Sequence, residues 1–286
     1  MMKVWIDGQL VDQAEAKISV FDHGVLYGDG VFEGIRIYGG KIFECDAHVD
    51  RLFESAERIR LEIPYSREEI IEAMDKTIQA NGRTDGYIRL VVTRGPGTLG
   101  LNPYLCSKAT VFCIVDGIRL YPEEMYANGM AVIISRIRRP GEDMLDPHVK
   151  SLNYLNNIRA KIECIDAGVS EAIMLNAAGN VAECTGDNLF IVESGCLLTP
   201  PESDGILKGV TRGVVMRLAE QMGIEVKQES ISVERLLAAD ECFLTGTAAE
   251  VIAVTQINDK AIGGGKAGPI STKLREAFHK YACSGR

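Results

Sequence analysis

The stretch Lys150-Ser151-Leu152-Asn153-Tyr154-Leu155 leads from a loop with two prolines into a predicted helix near the middle of the chain. Apolar residues at spacings of three and four predict this helix, which begins within Ser151–Asn157 and ends at Gly168: Leu155, Ile158, Ile162 and Ile165. Unpaired N–H groups at a helix start create a positive potential, and a desolvated lysine there is a candidate Schiff-base nucleophile. Taken alone, Lys150 is more simply interpreted as a solvated surface lysine.

Two turns in the second half of the chain have the residue types of anion-binding helix starts. Lys208-Gly209-Val210-Thr211-Arg212 opens a predicted helix, and Thr245-Gly246-Thr247-Ala248 follows a predicted strand. A glycine followed by a hydroxyl residue lets backbone N–H and hydroxyl groups converge on an anion. Each turn alone is also explained by helix capping. The chain has neither the P-loop pattern nor a G-x-G-x-x-G after a predicted strand, which argues against a dinucleotide fold.

A single carboxylate stands out between these motifs. Glu183 ends a short predicted strand inside the otherwise uncharged segment Gly179-Asn180-Val181-Ala182-Glu183-Cys184-Thr185-Gly186. Two interpretations stay open on sequence grounds: a half-buried partner for a cation, and a glutamate exposed in a turn.

The predicted elements indicate an α+β chain, because runs of strands lie beside segregated helices without regular βαβ alternation. Helices are predicted from Asp46 and from a Ser66/Glu69 capping box that ends at Asn81-Gly82. Strands are predicted at Lys3–Ile6, Val31–Ile37, Tyr87–Thr93, Thr110–Val115, Met130–Ser135, Ala172–Leu175, Leu189–Val192 and Cys196–Leu198. We expect a small N-terminal α+β domain (1–117), an interdomain linker (118–129) and a larger C-terminal domain (130–286).

Composition excludes several classes of partner. The 286 residues carry a net charge of −9 and no run of lysine and arginine, so nucleic acid and anionic membranes are poor partners. No window approaches the roughly 20 apolar residues of a spanning helix, and the N-terminus lacks signal-peptide features. The eight cysteines and four histidines are scattered without C-x-x-C pairs. We therefore expect free thiols, no metal centre and a cytoplasmic location.

Several blocks match one family in the same order along the chain. They are His23-Gly24-Val25-Leu26-Tyr27-Gly28, Val31-Phe32-Glu33-Gly34-Ile35-Arg36, His48-Val49-Asp50-Arg51-Leu52, Tyr87-Ile88-Arg89, Lys150-Ser151-Leu152-Asn153-Tyr154-Leu155, Glu183 through Asn188-Leu189-Phe190, Gly209-Val210-Thr211-Arg212 and Gly246-Thr247-Ala248-Ala249-Glu250. The chain thereby resembles the fold-type IV pyridoxal-phosphate aminotransferases, and within them the branched-chain amino acid aminotransferases. The resemblance implies a two-domain fold like that of D-amino acid aminotransferase, with a small α/β domain and a larger, β-barrel-like domain with helices that binds the cofactor.

The resemblance also implies a role for each matched residue toward pyridoxal 5'-phosphate. Lys150 would bond covalently to the cofactor aldehyde and then move the proton between the substrate Cα and the cofactor C4′. Glu183 would pair with the pyridine nitrogen, and Tyr154 with the phenolic oxygen. Arg51 would bind the phosphate. Groups of the two turns would join it: Gly209, Val210, Thr211, Gly246 and Thr247.

The implied substrate site lies beside the cofactor. The Thr247-Ala248 amides would bind the α-carboxylate, and Arg89 would meet the γ-carboxylate of glutamate. The side chain would lie in a pocket that includes Phe32, Tyr87 and, across a dimer interface, Tyr27 and the loop near Leu101. For Arg36, a substrate role and a structural ion pair both stay open.

The activity implied is transfer of the amino group of leucine, isoleucine or valine to 2-oxoglutarate by a ping-pong Schiff-base mechanism. Small amino acids and 2-oxo acids would be the partners of a homo-oligomer, a dimer or trimer of dimers with shared active sites. Two relatives of the same fold remain alternatives, a D-amino acid aminotransferase and a 4-amino-4-deoxychorismate lyase. A non-catalytic binding protein is an alternative of another class, although both Lys150 and Glu183 are present.

Two observations bear on these alternatives. The D-amino acid enzymes are similar to one another in an Arg-x-His trap after a Thr-Arg-Gly turn. Here Thr93-Arg94-Gly95 is followed by Pro96-Gly97-Thr98-Leu99-Gly100, which has neither residue and favours L-substrates. The chain departs from its relatives at Cys184, where glycine is common, and this thiol beside Glu183 raises the question of sensitivity to oxidation.

Overall fold

The computed structural model describes residues 1–118 and 120–284. Contacts within the chain divide them into two units. The first unit comprises Met1–Ile118 and Val149–Tyr154, and the second comprises 120–148 and Leu155–Ser284. Arg119, in the expected linker, and Gly285 and Arg286, at the end of the expected second domain, lie outside the described residues.

The first unit is built on a six-stranded sheet in which every pair of neighbours is antiparallel. Its strands are β1 (Lys3–Ile6), β2 (Gln9–Asp12), β3 (Gly30–Tyr38), β4 (Lys41–Ile42), β5 (Gly86–Thr93) and β6 (Thr110–Asp116), in the order β2-β1-β6-β5-β3-β4. Its helices are α1 (His23–Tyr27), α2 (Cys45–Arg58) and α3 (Arg67–Asn81), with short 3-10 turns at Gln13–Glu15 and Pro103–Leu105. The Ser66/Glu69 capping box at the start of α3 is confirmed.

The core of the first unit lies between the sheet and helices α2 and α3. Val49, Leu52 and Ala56 of α2, which recur at spacings of three and four, are buried. Ile70 and Met74 of α3 are fully enclosed in the same cluster. Apolar burial of this kind, at ~25 cal/mol per Å², holds α2 and α3 on the sheet and so fixes the polar residues that α2 presents to β3.

The second unit contains a nine-stranded mixed sheet. Its strands are β7 (Met130–Ile134), β8 (Glu171–Leu175), β9 (Val181–Cys184), β10 (Asn188–Glu193), β11 (Cys196–Thr199), β12 (Val226–Gln228), β13 (Glu241–Gly246), β14 (Glu250–Ile257) and β15 (Lys260–Ala261). The order is β12-β11-β10-β13-β14-β7-β8-β9, with β15 on β14. The sheet is curled, because β9, at one end of this order, is joined to β10, near the other end, by a tight turn in which Cys184 N donates to Asp187 O at 2.7 Å.

The helices of the second unit are α4 (Glu123–Asn128), α5 (Leu155–Asp166), α6 (Val210–Gln221), α7 (Val233–Ala238) and α8 (Pro269–Cys283), with 3-10 turns at Glu202–Asp204 and Gly263–Gly265. None of the helices in the described ranges 1–118 and 120–284 combines the length and apolar character that crossing a bilayer requires. The expected α+β class, with a smaller α/β part and a larger curled sheet with helices, is confirmed.

The division of the chain differs from the expected domains in two places. The expected linker 118–129 contains α4, and Tyr121 in it is 5% exposed and belongs to the core of the second unit. Lys150, expected in the C-terminal domain, lies in a segment that groups with the first unit. The reason is backbone pairing: Phe32 N donates to Lys150 O (3.0 Å) and Leu152 N donates to Gly30 O (2.8 Å).

Helix α5 forms where the sequence predicts it, but its periodic apolar residues lie on the exposed side. Their relative exposures are 64% for Leu155, 52% for Ile158, 51% for Ile162 and 63% for Ile165. The buried residues of α5 are instead Asn157, Ala160 and Cys164. Helical spacing shows that residues share a face, and it does not show which face the rest of the chain covers.

Candidate active site

Lys150 lies in extended backbone, ahead of the first residue of α5, Leu155. The prediction that the helix begins within Ser151–Asn157, after the loop that carries Lys150, is confirmed. Pairing with β3 holds the segment, and Lys150 N also donates to Ser55 Oγ at 3.2 Å. The Lys150 amine donates to Tyr154 Oη at 3.3 Å and lies 4.7 Å from the centroid of the Phe32 ring. The half-buried amine is thus enclosed by two aromatic side chains, unlike that of a solvated surface lysine.

The expected pocket residues share one face of the first sheet. Strand register places Gly34 opposite Arg89 and Arg36 opposite Tyr87. The Arg89 guanidinium carbon lies 4.6 Å from the Phe32 ring centroid and 5.5 Å from that of Tyr87. A Cβ at Gly34 would lie 1.8 Å from Tyr87 Oη, so the absence of a side chain there makes room for the Tyr87 ring. The structure therefore brings Lys150, Tyr154, Phe32, Tyr87 and Arg89 into one chain of contacts.

The remaining expected substrate residues make other contacts. Arg36 stacks over Tyr38, with 4.9 Å from its guanidinium carbon to the ring centroid. Tyr27 on α1 donates through its hydroxyl to Leu99 O, and Leu101 in the same loop is 77% exposed. Within the described part of the chain, Tyr27 and Leu101 make neither a hydrogen bond nor a ring contact with Lys150.

Arg51 belongs to a buried polar cluster between α2 and β3. Its Nε donates to Glu33 Oε1 at 2.7 Å and its Nη2 to Glu33 Oε2 at 2.9 Å. His48, one turn earlier on α2, lies with Nδ1 2.8 Å from Glu33 Oε2. Burial by itself would raise the pKa of Glu33, but the charge of Arg51 and the hydrogen bonds outweigh it and hold that pKa well below its usual value.

His48 is neutral in this cluster, because burial lowers the pKa of its imidazole in spite of the neighbouring carboxylate. Its Nδ1 faces an ionised carboxylate, so we assign the proton to Nδ1. The second nitrogen, Nε2, is buried and has no hydrogen-bond partner among the described residues. The cluster therefore combines a satisfied Glu33–Arg51 pair with one unsatisfied acceptor.

In the second unit, Glu183 on β9 is 6% exposed and accepts from three groups. Arg139 Nη2 lies 2.9 Å from Oε1, whereas Asn188 Nδ2 (3.1 Å) and Leu207 N (3.0 Å) donate to Oε2. The interpretation of Glu183 as a glutamate exposed in a turn is therefore wrong. It is a buried carboxylate that is paired with a cation and accepts from two neutral donors.

The first anion-binding turn lies at the N-terminus of α6. Its N-cap residue, Gly209, makes no side-chain capping bond. Thr211 is 2% exposed, and its Oγ1 is buried without a hydrogen-bond partner in the described part of the chain. An unsatisfied hydroxyl beside the free N–H groups of a twelve-residue helix fits a bound anion. Asn188 lies between Glu183 and this helix start. Its Nδ2 donates to Glu183 Oε2, and its Oδ1 lies 1.8 Å from the position that a Cβ on Gly209 would take.

The second turn joins β13 to β14. Thr247 and Ala248 are half-buried in it. Thr245 pairs with Asn188 across β13 and β10, which brings this turn next to Glu183 and the start of α6. A Cβ at Gly246 would lie 1.9 Å from Asp187 Oδ1, so the glycine lets the Asp187 carboxylate approach the turn closely.

Five buried residues of these sites were given no role by the sequence: Glu33, His48, Arg139, Asn157 and Asn188. Glu33, His48 and Asn188 lie inside the matched blocks. For Glu33 the sequence holds a signal, because a charged residue in an apolar strand such as β3 indicates a buried partner. Nothing local distinguishes Arg139 from the nearby Arg136 and Arg138, which are exposed.

One group of side chains has the composition of a metal site. Possible ligand atoms of Glu142, Asp146 and His148 lie within 4.8 Å of one another. Asp146 Oδ1 accepts from His148 N (2.9 Å) and lies 2.7 Å from His148 Nδ1. Hydrogen bonds within the turn account for the approach of Asp146 and His148, and Glu142 is exposed, so we assign no metal here.

Comparison with known proteins gives one consistent result. The family model for amino-transferase class IV matches residues 30–257. A protein of Methanocaldococcus jannaschii assigned by name to the branched-chain-amino-acid aminotransferases is 49% identical, over 97% of this chain and 95% of its own length. The branched-chain-amino-acid aminotransferase of Pseudomonas aeruginosa is 36% identical, over 96% and 91%.

Solved structures agree with this result. The T.th. branched-chain amino acid aminotransferase with pyridoxamine 5'-phosphate superposes with a TM-score of 0.95 at 38% identity, covering 99% of this chain and 95% of that one. The same enzyme complexed with N-(5'-phosphopyridoxyl)-L-glutamate gives a TM-score of 0.94 at 36% identity, again covering 99% of this chain and 95% of that one.

Proposed function

This chain belongs to the class IV aminotransferases and, within them, to the branched-chain-amino-acid aminotransferases, and we propose that it transfers the amino group of leucine, isoleucine or valine to 2-oxoglutarate. Its cofactor is pyridoxal 5'-phosphate. The observation that carries the proposal is the half-buried Lys150 amine, donating to Tyr154 Oη beside the Phe32 ring. The bound cofactor supplies an aldehyde that takes up the amino group and a ring that accepts electrons from the substrate Cα.

Lys150 carries two tasks in this proposal. Its Nζ would hold the cofactor at the aldehyde carbon, and the free amine would remove and return the proton at the substrate Cα. Tyr154 directs the amine through the 3.3 Å hydrogen bond and pairs with the cofactor's phenolic oxygen. The Phe32 and Tyr154 rings shield one side of the amine from water.

The residues present fit the charged groups of the cofactor. The unsatisfied Thr211 hydroxyl and the first N–H groups of α6 suit a phosphate, and so does the Arg51 guanidinium. Gly209, Val210, Gly246 and Thr247 would contribute backbone to phosphate binding. Glu183, as an ionised carboxylate, would hold a proton on the pyridine nitrogen.

Substrate selection would combine apolar and charged contacts. Phe32 and Tyr87 offer aromatic faces for a branched side chain, and Arg89 lies across both rings, where it can meet a γ-carboxylate. The complex of the T.th. enzyme with phosphopyridoxyl-L-glutamate supports glutamate as the second amino donor. The Thr247-Ala248 amides would bind the α-carboxylate, and Arg36 would act at the edge of the same sheet face.

We also propose a homo-oligomer, a dimer or trimer of dimers, in the cytoplasm. Exposed apolar side chains support association with further copies, because they occur on both units: Val25, Tyr27, Leu101, Leu155, Ile158 and Ile165. We further propose that the larger unit binds much of the cofactor. Eight free cysteines are typical of a reducing compartment.

A panel of amino acids tests the proposed function. The purified protein, loaded with pyridoxal 5'-phosphate, is mixed with single L- and D-amino acids, and the visible absorption band of the cofactor is followed. We expect L-leucine, L-isoleucine, L-valine and L-glutamate to bleach the band and 2-oxoglutarate to restore it. Bleaching by D-amino acids alone would contradict the proposal in favour of the D-specific relatives.

A further inference from the structure

The second unit contains an arginine that is buried against the carboxylate proposed to face the cofactor. The Arg139 side chain is 8% exposed, as is that of Glu183, and the two are joined at 2.9 Å. The loop that carries Arg139 is fixed to the end of β8, because Arg139 N donates to Leu175 O at 2.9 Å. The contact is therefore built into the sheet.

A second contact sets the orientation of the guanidinium. Arg139 Nη1 donates to Asn157 Oδ1 at 3.1 Å. Asn157 is itself held, since its Nδ2 donates to Thr185 O at 2.8 Å. Asn157 is one of the few buried residues of α5, on the side opposite the exposed isoleucines. Helix α5 and β9 thus hold Arg139 from two sides.

The arrangement is poor as a device for stability alone. The Arg139 Nε is buried and lacks a hydrogen-bond partner among the described residues. An unsatisfied buried donor is costly, and a buried ion pair is often no more stabilising than apolar residues of the same volume. The positive charge at this position therefore requires another explanation.

The charge matters because of what it does to Glu183. Asn188 Nδ2 and Leu207 N donate to Oε2 as neutral groups, whereas the Arg139 cation faces Oε1. A cation beside a carboxylate lowers the affinity of the carboxylate for a proton. When a ring nitrogen and this carboxylate share a proton, the proton is then shifted toward the nitrogen.

We propose that Arg139 is a positioning residue: held by Asn157, it keeps Glu183 ionised so that the shared proton stays on the cofactor's pyridine nitrogen. This inference rests on the proposed function. A protonated ring accepts electrons from the substrate Cα more readily, so Arg139 acts on the rate of the proton step at Lys150 Nζ through Glu183. It acts on that step without contact with the reacting atoms.

The test measures the protonation of the ring nitrogen directly. Wild type, Arg139→Gln and Arg139→Lys are loaded with ¹⁵N-labelled pyridoxal 5'-phosphate, and the ¹⁵N chemical shift is recorded together with kcat and KM for L-leucine. In Arg139→Gln we expect the ¹⁵N shift to move toward that of an unprotonated pyridine. We expect kcat to fall by about 10- to 100-fold, the loss typical at metal sites when a residue that hydrogen-bonds a metal ligand is removed. KM should change little, and Arg139→Lys should keep most of the wild-type shift.

Two further variants keep the test decisive. Arg235→Gln removes another ion-paired arginine of the second unit, which contacts Glu193 (2.8 Å) and Glu229 (2.7 Å), and should leave the ¹⁵N shift unchanged. Should Arg139→Gln fail to fold, Asn157→Ala retains the charge but frees the guanidinium, and we expect a partial change of the shift.

The outcomes separate this inference from the proposed function. The inference alone is overturned if the wild-type protein bleaches with L-leucine and Arg139→Gln keeps the wild-type ¹⁵N shift and kcat. The same result in a folded Asn157→Ala variant overturns it if Arg139→Gln does not fold. A wild-type protein that takes up no pyridoxal 5'-phosphate overturns the proposed function and the inference with it.

Discussion

Each unit of the molecule contains one buried arginine–glutamate pair that is proposed to serve the cofactor, and the two pairs are used in opposite ways. In the first unit Glu33 holds Arg51, and the cation is the proposed ligand group, for a phosphate. In the second unit Arg139 holds Glu183, and the anion is the proposed ligand group, for a ring N–H. Because buried pairs add little net stability, both are best understood as ways to present a charge without leaving it unbalanced.

The two pairs also differ in what holds them. Glu33 contacts two side chains of helix α2, Arg51 and His48, which lie one turn apart. The donors to Glu183 come from three separate segments, which contribute Arg139, Asn188 and Leu207. The first pair therefore depends on one helix–strand contact, whereas the second depends on the folding of most of its unit.

The largest effect is expected at Lys150, which belongs to neither pair. We expect Lys150→Ala to lower kcat with L-leucine by about 10⁴-fold or more, since it removes both the nucleophile and the proton carrier. Steady-state kinetics measure the loss, and circular dichroism should show an intact fold. Near wild-type turnover in the folded variant would remove Lys150 from the mechanism.

The next largest effect concerns the pair of the first unit. Glu33→Gln leaves the Arg51 charge buried without its counter-charge, so we expect the free energy of unfolding at pH 7 to fall by about 3 kcal/mol. Asp50→Asn is the matched control on the same helix: Asp50 pairs with Arg67 at 3.0 Å on the surface, and its loss should change stability by less than ~1 kcal/mol. Urea unfolding measures both.

The stability difference between wild type and Glu33→Gln should depend on pH. Because the native pKa of Glu33 is lowered from its ordinary value of 4.5, its contribution is complete above pH 4.5 and decreases as the pH falls toward the native value. Urea unfolding at pH 7, 5 and 4 should therefore show the difference between the two proteins shrinking in acid. A difference that grows as the pH falls would contradict the assignment of Glu33 as an ionised group.

A smaller effect should separate the two substrates. Arg89→Ala removes the cation that lies across Phe32 and Tyr87. We expect kcat/KM for glutamate to fall about 10- to 100-fold more than that for leucine, because a charge-assisted hydrogen bond is lost for glutamate alone. Leucine serves as the internal control. Equal losses for both would mean that Arg89 supports the sheet face and does not read the carboxylate.

The smallest effect is expected at Cys184, which follows Glu183 on β9. Burial raises the pKa of this thiol well above its ordinary value, and the side chain is 1% exposed. The folded protein treated with iodoacetamide at about pH 8 should therefore be labelled at the exposed Cys283 and not at Cys184. Mass spectrometry of peptides measures this, and labelling of Cys184 would support the sensitivity to oxidation that the sequence left open.

The sequence predicted local structure well, since the strands β3, β5 and β6 and the capping box of α3 depend on neighbouring residues. It did not predict that Lys150 groups with the first unit, because that depends on pairing with Gly30 and Phe32 far away in the chain. The exposure of Ile158 and Ile162 was equally out of reach, since spacing alone does not tell the inner face of α5 from the outer.

The same limit applies to the site. Lys150, Glu183 and Arg51 could be named from matched motifs, whereas their buried partners required the fold. Arg139 lies among several arginines in an irregular loop, and its buried contacts with Glu183 and Asn157 distinguish it. Glu33 was inside a matched block, yet its role follows from the side of β3 on which it lies, facing α2.

The central claim is that the Lys150 amine is the point of covalent attachment for pyridoxal 5'-phosphate. Reduction of the loaded protein with borohydride, followed by digestion and mass spectrometry, tests it most directly. We expect one phosphopyridoxyl group per chain, on the peptide that contains Lys150. A modification on another lysine, or an active protein with none, would contradict it.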